Sequence, residues 1–339
     1  MTLRPDVRGG EECCVGNRLE GKVAIVTGGG RGIGRGICHL LAEEGCRVVV
    51  NDYGVAVDGT QPSTGPAQEV ADEIKAKGGE AVPNFGDVSK VEDGEAMVKQ
   101  ALDTFGRLDI LINVAGILRD RMIFNMTEEE WDAVIAVHLR GHYCTIKPAS
   151  VVMRQQRYGR IINFTSISGL RGNPGQANYG AAKAGIAGLT RVVARDLGRY
   201  GVTCNAISPG AATRMTATVP ARTAELRARV AGGGTPAPAP PPTTVPAMRE
   251  PEYVAPMTVY LCTDAAWNIN GKIFYVSGGT ISLAYEETPY RTIWKPGMWT
   301  LDELDIFVPQ LMQDVVNPAP PPPDLNIPGR PVPAQPAQG

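Results

Sequence analysis

Apolar and polar positions along the chain follow two alternating rhythms. Short runs rich in Val, Ile and Leu, such as Lys22-Val-Ala-Ile-Val26 and Arg47-Val-Val-Val50, are separated by longer stretches with helical patterns. A β-branched run without polar alternation predicts a strand buried on both faces, as in a parallel sheet. Such runs predict strands at 22–27, 46–51, 80–84, 108–113, 159–165, 202–208 and 272–276, with helices between most of them. That alternation predicts an α/β fold in which helices cover both faces of a parallel sheet. Ligands of open α/β sheets bind beyond the carboxyl ends of the strands.

The rhythm breaks in three places. Residues 1–18 read as a loose lead, and the adjacent Cys13-Cys14 within it has no predicted role. From Ala231 to Pro246 the chain carries Gly-Gly-Gly and then Pro-Ala-Pro-Ala-Pro-Pro-Pro, which forbids a regular helix or a paired strand. The tail, with Pro320 to Pro323 consecutive, reads as polyproline or disorder. The predicted organisation is a lead at 1–18, one domain at 19–285 interrupted at 231–250, an extension at 286–316 and a tail at 317–339. In the extension, Trp294, Trp299, Leu301, Leu304, Ile306 and Phe307 form an apolar cluster. It is expected to pack on its own domain or on a neighbouring subunit, or to wall a substrate pocket.

Candidate chemistry appears at two sites. The first predicted strand runs into Thr27-Gly-Gly-Gly-Arg-Gly-Ile-Gly34, and a helical pattern follows from Arg35 to Glu44. Glycines there let the backbone turn sharply and let a pyrophosphate approach the amides at the helix N-terminus. Asp52, 18 residues after Gly34, closes the next strand where a dinucleotide fold places the acid that binds the adenosine ribose. At the second site Tyr179 and Lys183 stand four residues apart, with Ser166 thirteen residues before Tyr179. Helical i/i+4 spacing puts the phenol and the ammonium on one face. A fixed positive charge favours the phenolate and is expected to draw the tyrosine pKa down.

Taken together, these residues resemble the short-chain dehydrogenase/reductase family over roughly residues 19–283. Its Thr-Gly-x-x-x-Gly-x-Gly motif is carried by Thr27, Gly28, Gly32 and Gly34, and Gly86-Asp87-Val88 is similar to its adenine-contacting segment. Asn113-Val-Ala-Gly116 resembles its Asn-Asn-Ala-Gly motif, with Val114 replacing the second Asn. Ser166, Tyr179 and Lys183 match its catalytic triad, and Pro209-Gly210 the turn before its nicotinamide-contacting segment. A narrower resemblance is carried by Gly116-Ile-Leu-Arg-Asp-Arg121, Val137-His-Leu-Arg-Gly141, Gly175-Gln-Ala-Asn-Tyr179, Thr213-Arg-Met-Thr216 and Pro251-Glu-Tyr-Val-Ala-Pro256. These are similar to the (3R)-hydroxyacyl-CoA dehydrogenase part of peroxisomal multifunctional enzyme type 2 and its free-standing bacterial relatives.

The resemblance implies a single Rossmann-type, three-layer αβα domain with a doubly wound parallel sheet. It implies cofactor binding by Thr27, Gly28, Arg31, Gly32, Ile33, Gly34, Asp52, Asp87, Val88, Asn113, Ala115, Gly116, Tyr179, Lys183, Pro209, Gly210 and Thr213. Ser166, Tyr179 and Lys183 are the implied catalytic residues. His138 stands where the family usually carries a catalytic Asn that holds a water; it is either a proton relay or a buried helix residue. Asp52 favours NAD by repelling a 2′-phosphate, and Arg31 leaves NADP open. The implied reaction interconverts a secondary alcohol and a ketone, 3-hydroxyacyl-CoA and 3-oxoacyl-CoA in the first reading. A 3-oxoacyl carrier-protein reductase using NADPH, a steroid or ring-alcohol dehydrogenase, and a non-catalytic dinucleotide-binding scaffold are the alternatives. The segment at 231–250 falls where the family carries its substrate lid; a lid and a dispensable insertion both fit. Small residues at Gly180, Ala181, Ala182, Ala184, Gly185, Ala187 and Gly188 imply a homodimer or homotetramer.

Composition removes other classes. With 339 residues and 43% apolar content the chain can bury a full core, and a net charge of −2 gives no basic footprint for nucleic acid. Seven cysteines form no Cys-x-x-Cys pair, so neither a metal site nor a disulfide framework is expected. No apolar run approaches the ~20 residues that a membrane span needs. The first twenty residues hold Glu11 and Glu12 without a continuous apolar stretch, and the chain ends Ala-Gln-Gly. A cytoplasmic location is therefore expected, with neither a secretory nor a peroxisomal signal.

Overall fold

Along the first strand, β1 (Val23–Thr27), every residue is buried, and successive side chains enter two different cores. Val23 and Ile25 join one apolar cluster, and Ala24 and Val26 join the other. The period-two geometry of a strand therefore makes an unbroken apolar run the signature of a sheet covered on both sides. The computed structural model describes residues 17–211 and 250–315.

Seven further strands follow among the described residues: β2 (Arg47–Asn51), β3 (Ala81–Asn84), β4 (Ile110–Asn113), β5 (Gly159–Phe164), β6 (Val202–Pro209), β7 (Ile273–Ser277) and β8 (Thr280–Leu283). They lie in the order β3-β2-β1-β4-β5-β6-β7-β8. All neighbours pair in parallel except β7 and β8. The winding reverses between β1 and β4, which opens a crevice at their carboxyl ends.

The helices are α1 (Gly32–Glu43), α2 (Gly65–Ala76), α3 (Val91–Phe105), α4 (Glu128–Ile135), α5 (Gly141–Gln156), α6 (Ile167–Arg171), α7 (Ala177–Gly198), α8 (Ala255–Tyr260) and α9 (Leu301–Leu311). Ile37, Leu41, Val70, Ile74 and Val259 bring α1, α2 and α8 onto one face of the sheet. Met97, Val98, Ile146, Met153, Val193 and Leu197 bring α3, α5 and α7 onto the other. This is the three-layer, doubly wound arrangement expected from the sequence.

Two features depart from the sequence reading. First, β8 was absent from the expected strands. Gly278-Gly279, with Gly278 at φ 53°, turns the chain so that Ser277 pairs with Thr280. All four β8 residues are exposed, and Thr-Ile-Ser-Leu alternates over only four positions instead of forming the continuous apolar run of the buried strands. Second, the expected helix across His138 is not uniform. Between α4 and α5, Ala136–Arg140 forms one π turn with helical dihedrals on both sides. Such single-turn bulges occur often at functional sites.

The chain divides into two units, residues 1–219 with 245–284 and residues 220–244 with 285–339. The described part of the second unit holds α9, opened by a capping box of Thr300 and Glu303. Lys295 donates to Glu303 at 2.6 Å, and Trp299 meets Phe307 edge-on at 5.6 Å. Cys13-Cys14, Thr213, most of the Pro/Gly-rich segment and the tail lie outside the described residues. No helix among those described is long and apolar enough to cross a membrane.

Candidate active site

Thr27 ends β1, and its hydroxyl accepts from the amides of Val114 at 3.2 Å and Ala115 at 3.3 Å. The segment after β4 is thereby laid against the glycine turn. Gly28 has φ 66°, and a Cβ there would stand 2.8 Å from the Ala115 backbone. A Cβ on Gly34 would lie 2.0 Å from the Gly28 carbonyl oxygen, so no side chain fits. Gly32, at φ 50°, has no atom within 4 Å of such a Cβ, which leaves open space beside the backbone. Helix α1 starts at this opening, with Arg31 at its N-cap and no side chain capping its amides. Free amides at a helix start, beside an open cradle, suit a pyrophosphate. Ile33 packs against the core behind them.

Both carboxylate oxygens of Asp52 are aimed by backbone donors, Gly30 N–H to Oδ2 at 2.9 Å and Gly54 N–H to Oδ1 at 2.7 Å. Each oxygen keeps a lone pair for a hydroxyl. A Cβ on Gly30 would approach Asp52 Oδ2 to 2.8 Å, so the glycine is what admits the acid. The Arg31 guanidinium donates to the Val55 carbonyl at 3.1 Å. Asp87 accepts from the Ser89 amide and hydroxyl, and Val88 is buried against Gly141. Asn113 is buried between Asn163 and Thr145, holding β4 and β5 to α5. At the end of β6, Gly210 donates to the Val276 carbonyl at 2.8 Å beside Pro209. The glycine turn, Asp52 and the ends of β4 and β6 therefore fit a dinucleotide.

Ser166, Tyr179 and Lys183 come together beyond β5. Ser166 caps α6, its hydroxyl accepting from the Ser168 amide at 3.2 Å. The half-buried Tyr179 is hydrogen-bonded to Ser166, and Lys183 Nζ lies 5.5 Å from the Tyr179 ring centre. Lys183 is buried and donates to the Phe164 carbonyl at 2.6 Å. Burial pulls this lysine down to about 7. The phenol does not follow the expected direction. Burial pushes Tyr179 up to about 12, against the pull of the Ser166 hydrogen bond, and the Asp120 charge adds to the rise. Loss of hydration outweighs the hydrogen bond that favours the phenolate.

His138 is buried on the π turn, its Nε2 at 2.9 Å from the Ile117 carbonyl oxygen and 3.2 Å from the Ile117 amide. Its ring meets Tyr179 edge-to-face at 5.1 Å. A Cβ on Gly116 would stand 2.3 Å from this ring, which explains a glycine there. Burial, and then the Lys183 charge, hold His138 well below the ordinary histidine range. The neutral ring is poorly suited to carry a proton at neutral pH. His142 escaped the sequence reading. Its Nδ1 donates to the His138 carbonyl at 2.7 Å, and burial pulls it down to about 3, with the Lys183 charge acting the same way. An i/i+4 pair of histidines was the only available signal, and helical spacing does not reveal a side chain bonding back to the main chain.

The family model described as short chain dehydrogenase matches residues 22–224. The chain is 42% identical to peroxisomal multifunctional enzyme type 2 of Mus musculus over 272 residues, 80% of this chain and 34% of that protein. The chain thus spans about a third of that relative's length. It is 40% identical to the hydroxyacyl-CoA dehydrogenase ChsB1 of Mycobacterium tuberculosis over 307 residues, covering 85% of this chain and 89% of the other. A 3-oxoacyl-[acyl-carrier-protein] reductase of Synechocystis is 42% identical over 265 residues, covering 78% and 98%.

Proposed function

The chain belongs to the short chain dehydrogenase family, and from that premise we propose an NAD-dependent oxidoreductase that interconverts a 3-hydroxyacyl-CoA and a 3-oxoacyl-CoA. The observation that carries the reading is a phenol hydrogen-bonded to Ser166 and set beside a buried ammonium, on the side of the sheet where the glycine turn opens. The acyl-CoA class is supported by the likeness to the hydroxyacyl-CoA dehydrogenase along nearly its whole length. The likeness to the carrier-protein reductase supports the second reading, which differs in the carrier and in NADPH. Asp52 favours the first, because a fixed carboxylate at the end of β2 repels a 2′-phosphate.

The residues divide the work. The glycine turn and Asp52 hold the dinucleotide, whose nicotinamide accepts or returns a hydride when bound. Ser166 Oγ fixes and polarises the substrate oxygen. Tyr179 Oη takes the hydroxyl proton in oxidation and returns it in reduction. Lys183 Nζ holds a ribose hydroxyl and, when charged, stabilises the phenolate. His138 braces the phenol from its edge. The cytoplasm is the proposed location.

Initial rates with NAD and NADP across (3R)-3-hydroxyacyl-CoA, 3-oxoacyl carrier-protein and steroid substrates test the proposal. Hydroxyacyl-CoA with NAD is expected to lead, and Asp52→Ala to narrow the gap between cofactors. Tighter binding of NADP by the unaltered protein would show that Arg31 outweighs Asp52.

A homodimer through α7 is part of the same proposal. A Cβ on Gly185 would meet Leu139 of its own chain, but Gly188 opens onto empty space and Val192 is exposed. A small outward face is an approach surface for a second copy. Light scattering at micromolar concentration is expected to exceed the 36.0 kDa monomer mass; a monomer would remove this interface.

A further inference from the structure

Within the segments Gly116-Ile-Leu-Arg-Asp-Arg121 and Gly175-Gln-Ala-Asn-Tyr179, Asp120 and Gln176 have no role in the mechanism above, yet the fold brings them side by side. Arg121 and Gln176 form an isolated parallel bridge, and the Arg121 amide donates to the Gly175 carbonyl at 2.8 Å. Across this bridge Gln176 Nε2 lies 3.1 Å and 3.0 Å from the two carboxylate oxygens of Asp120. A carboxylate only accepts, so it fixes the amide with nitrogen toward Asp120 and oxygen away. That oxygen accepts from the Ser168 hydroxyl at 2.7 Å, and Asn173 Nδ2 donates to the same hydroxyl at 2.8 Å. Ser168 in turn gives its amide to the Ser166 hydroxyl. Gln176 and Ser168 are both buried.

Gln176 also sits at the N-cap of α7, and its carbonyl accepts from the Gly180 amide at 2.7 Å. One residue therefore joins three segments. Its side chain touches the loop after β4 and the turn that presents Ser166, and its backbone carbonyl holds the first turn of the helix that presents Tyr179. A surface brace would lose its hydrogen bonds to water, but a buried one keeps them at low dielectric and holds its partners in one geometry. We infer that Gln176 is a positioning residue that, held by Asp120 and acting through Ser168, fixes the Ser166 hydroxyl against the Tyr179 phenol. The inference rests on the reading of Ser166 and Tyr179 as the reacting pair.

The polarity of the brace supplies its test. In Gln176→Glu two carboxylates face each other, so the contact breaks although the side chain keeps its length. Adding Asp120→Asn reverses the hydrogen bond: the asparagine donates, and the glutamate accepts from it and from Ser168. The full-length protein is assayed with (3R)-3-hydroxybutyryl-CoA and NAD. Gln176→Glu is expected to lower kcat about tenfold with KM and the NAD Kd nearly unchanged, and the double variant to recover most of the loss. A Gln176→Glu kcat within about twofold of the parent, or a double variant no better than the single, overturns the inference. Hydrogen–deuterium exchange over 166–180 is read in parallel. If the parent turns over no substrate, the functional reading fails on its own, and the brace stands or falls on exchange. Faster exchange in Gln176→Glu that the double variant reverses supports it, and unchanged exchange removes it.

Discussion

Tyr179→Phe is expected to lower kcat by roughly 10²–10⁴-fold while the protein folds and binds NAD as before. The lost atom is the hydroxyl alone, which is hydrogen-bonded to Ser166; the edge contact with His138 involves the ring, and the ring stays. Ser166 is assigned to polarising the substrate oxygen rather than to taking its proton. The neutral His138 ring is committed to Ile117, and Lys183 Nζ, which gives one of its protons to the Phe164 carbonyl, acts on the phenol through its charge. The check is kcat and KM by initial rates, with cofactor Kd by fluorescence. Unchanged turnover would sink the proposed mechanism. A parallel loss of cofactor binding would show that the substitution disturbed more than the proton transfer.

Lys183→Met is expected to abolish turnover and yet stabilise the free protein near neutral pH. The ordinary lysine range applies to the unfolded chain, but burial holds the folded group at about 7. Between those values the unfolded state binds a proton that the folded state does not, so stability rises with pH from about 7 into the ordinary lysine range. Below that window the penalty is complete. At 1.36 kcal/mol per unit it amounts to a few kcal/mol, partly offset by about 1–3 kcal/mol for leaving the Phe164 carbonyl without its donor. Urea midpoints at several pH values should show a steeper rise in the parent than in the variant, and a more stable variant at pH 7. Equal slopes, with the variant weaker throughout, would mean that the buried ammonium carries no penalty. His138 and His142 act at the acid end. Their folded values lie below the ordinary range, so stability is lost as pH falls below that range.

What the sequence made legible was whatever local chemistry dictates. The strand runs were readable because burial on both faces demands apolar residues at consecutive positions, as in Val23–Thr27. The glycine turn was readable because three of its positions leave no alternative in dihedral angle or space. Ser166, Tyr179 and Lys183 were readable from spacing along one strand end and one helix. Features decided by distant partners were not. Asp120 and Gln176 are 56 positions apart, and only the fold makes them neighbours. The direction of the Tyr179 shift was misjudged because a sequence shows the adjacent charge but not the loss of water. β8 was missed because its four residues alternate polar and apolar instead of forming the continuous apolar run that marks the buried strands, although Gly278-Gly279 is a hairpin signal.

The π turn at Ala136–Arg140 has a consequence for how the chain tolerates length changes. A π bulge amounts to one surplus residue in an otherwise regular helix. Removing one residue there would let α4 and α5 merge into a continuous α-helix, a locally comfortable result. Because the wide turn absorbs the surplus, α4 and α5 would keep nearly their present orientation, and the residues of the turn itself would change face. His138 would rotate away from Tyr179, and Gly116 would face an empty space where the ring now lies. Regular helix and this site are thus incompatible here: the surplus residue gives the turn the width that carries the His138 ring to Tyr179 and Gly116.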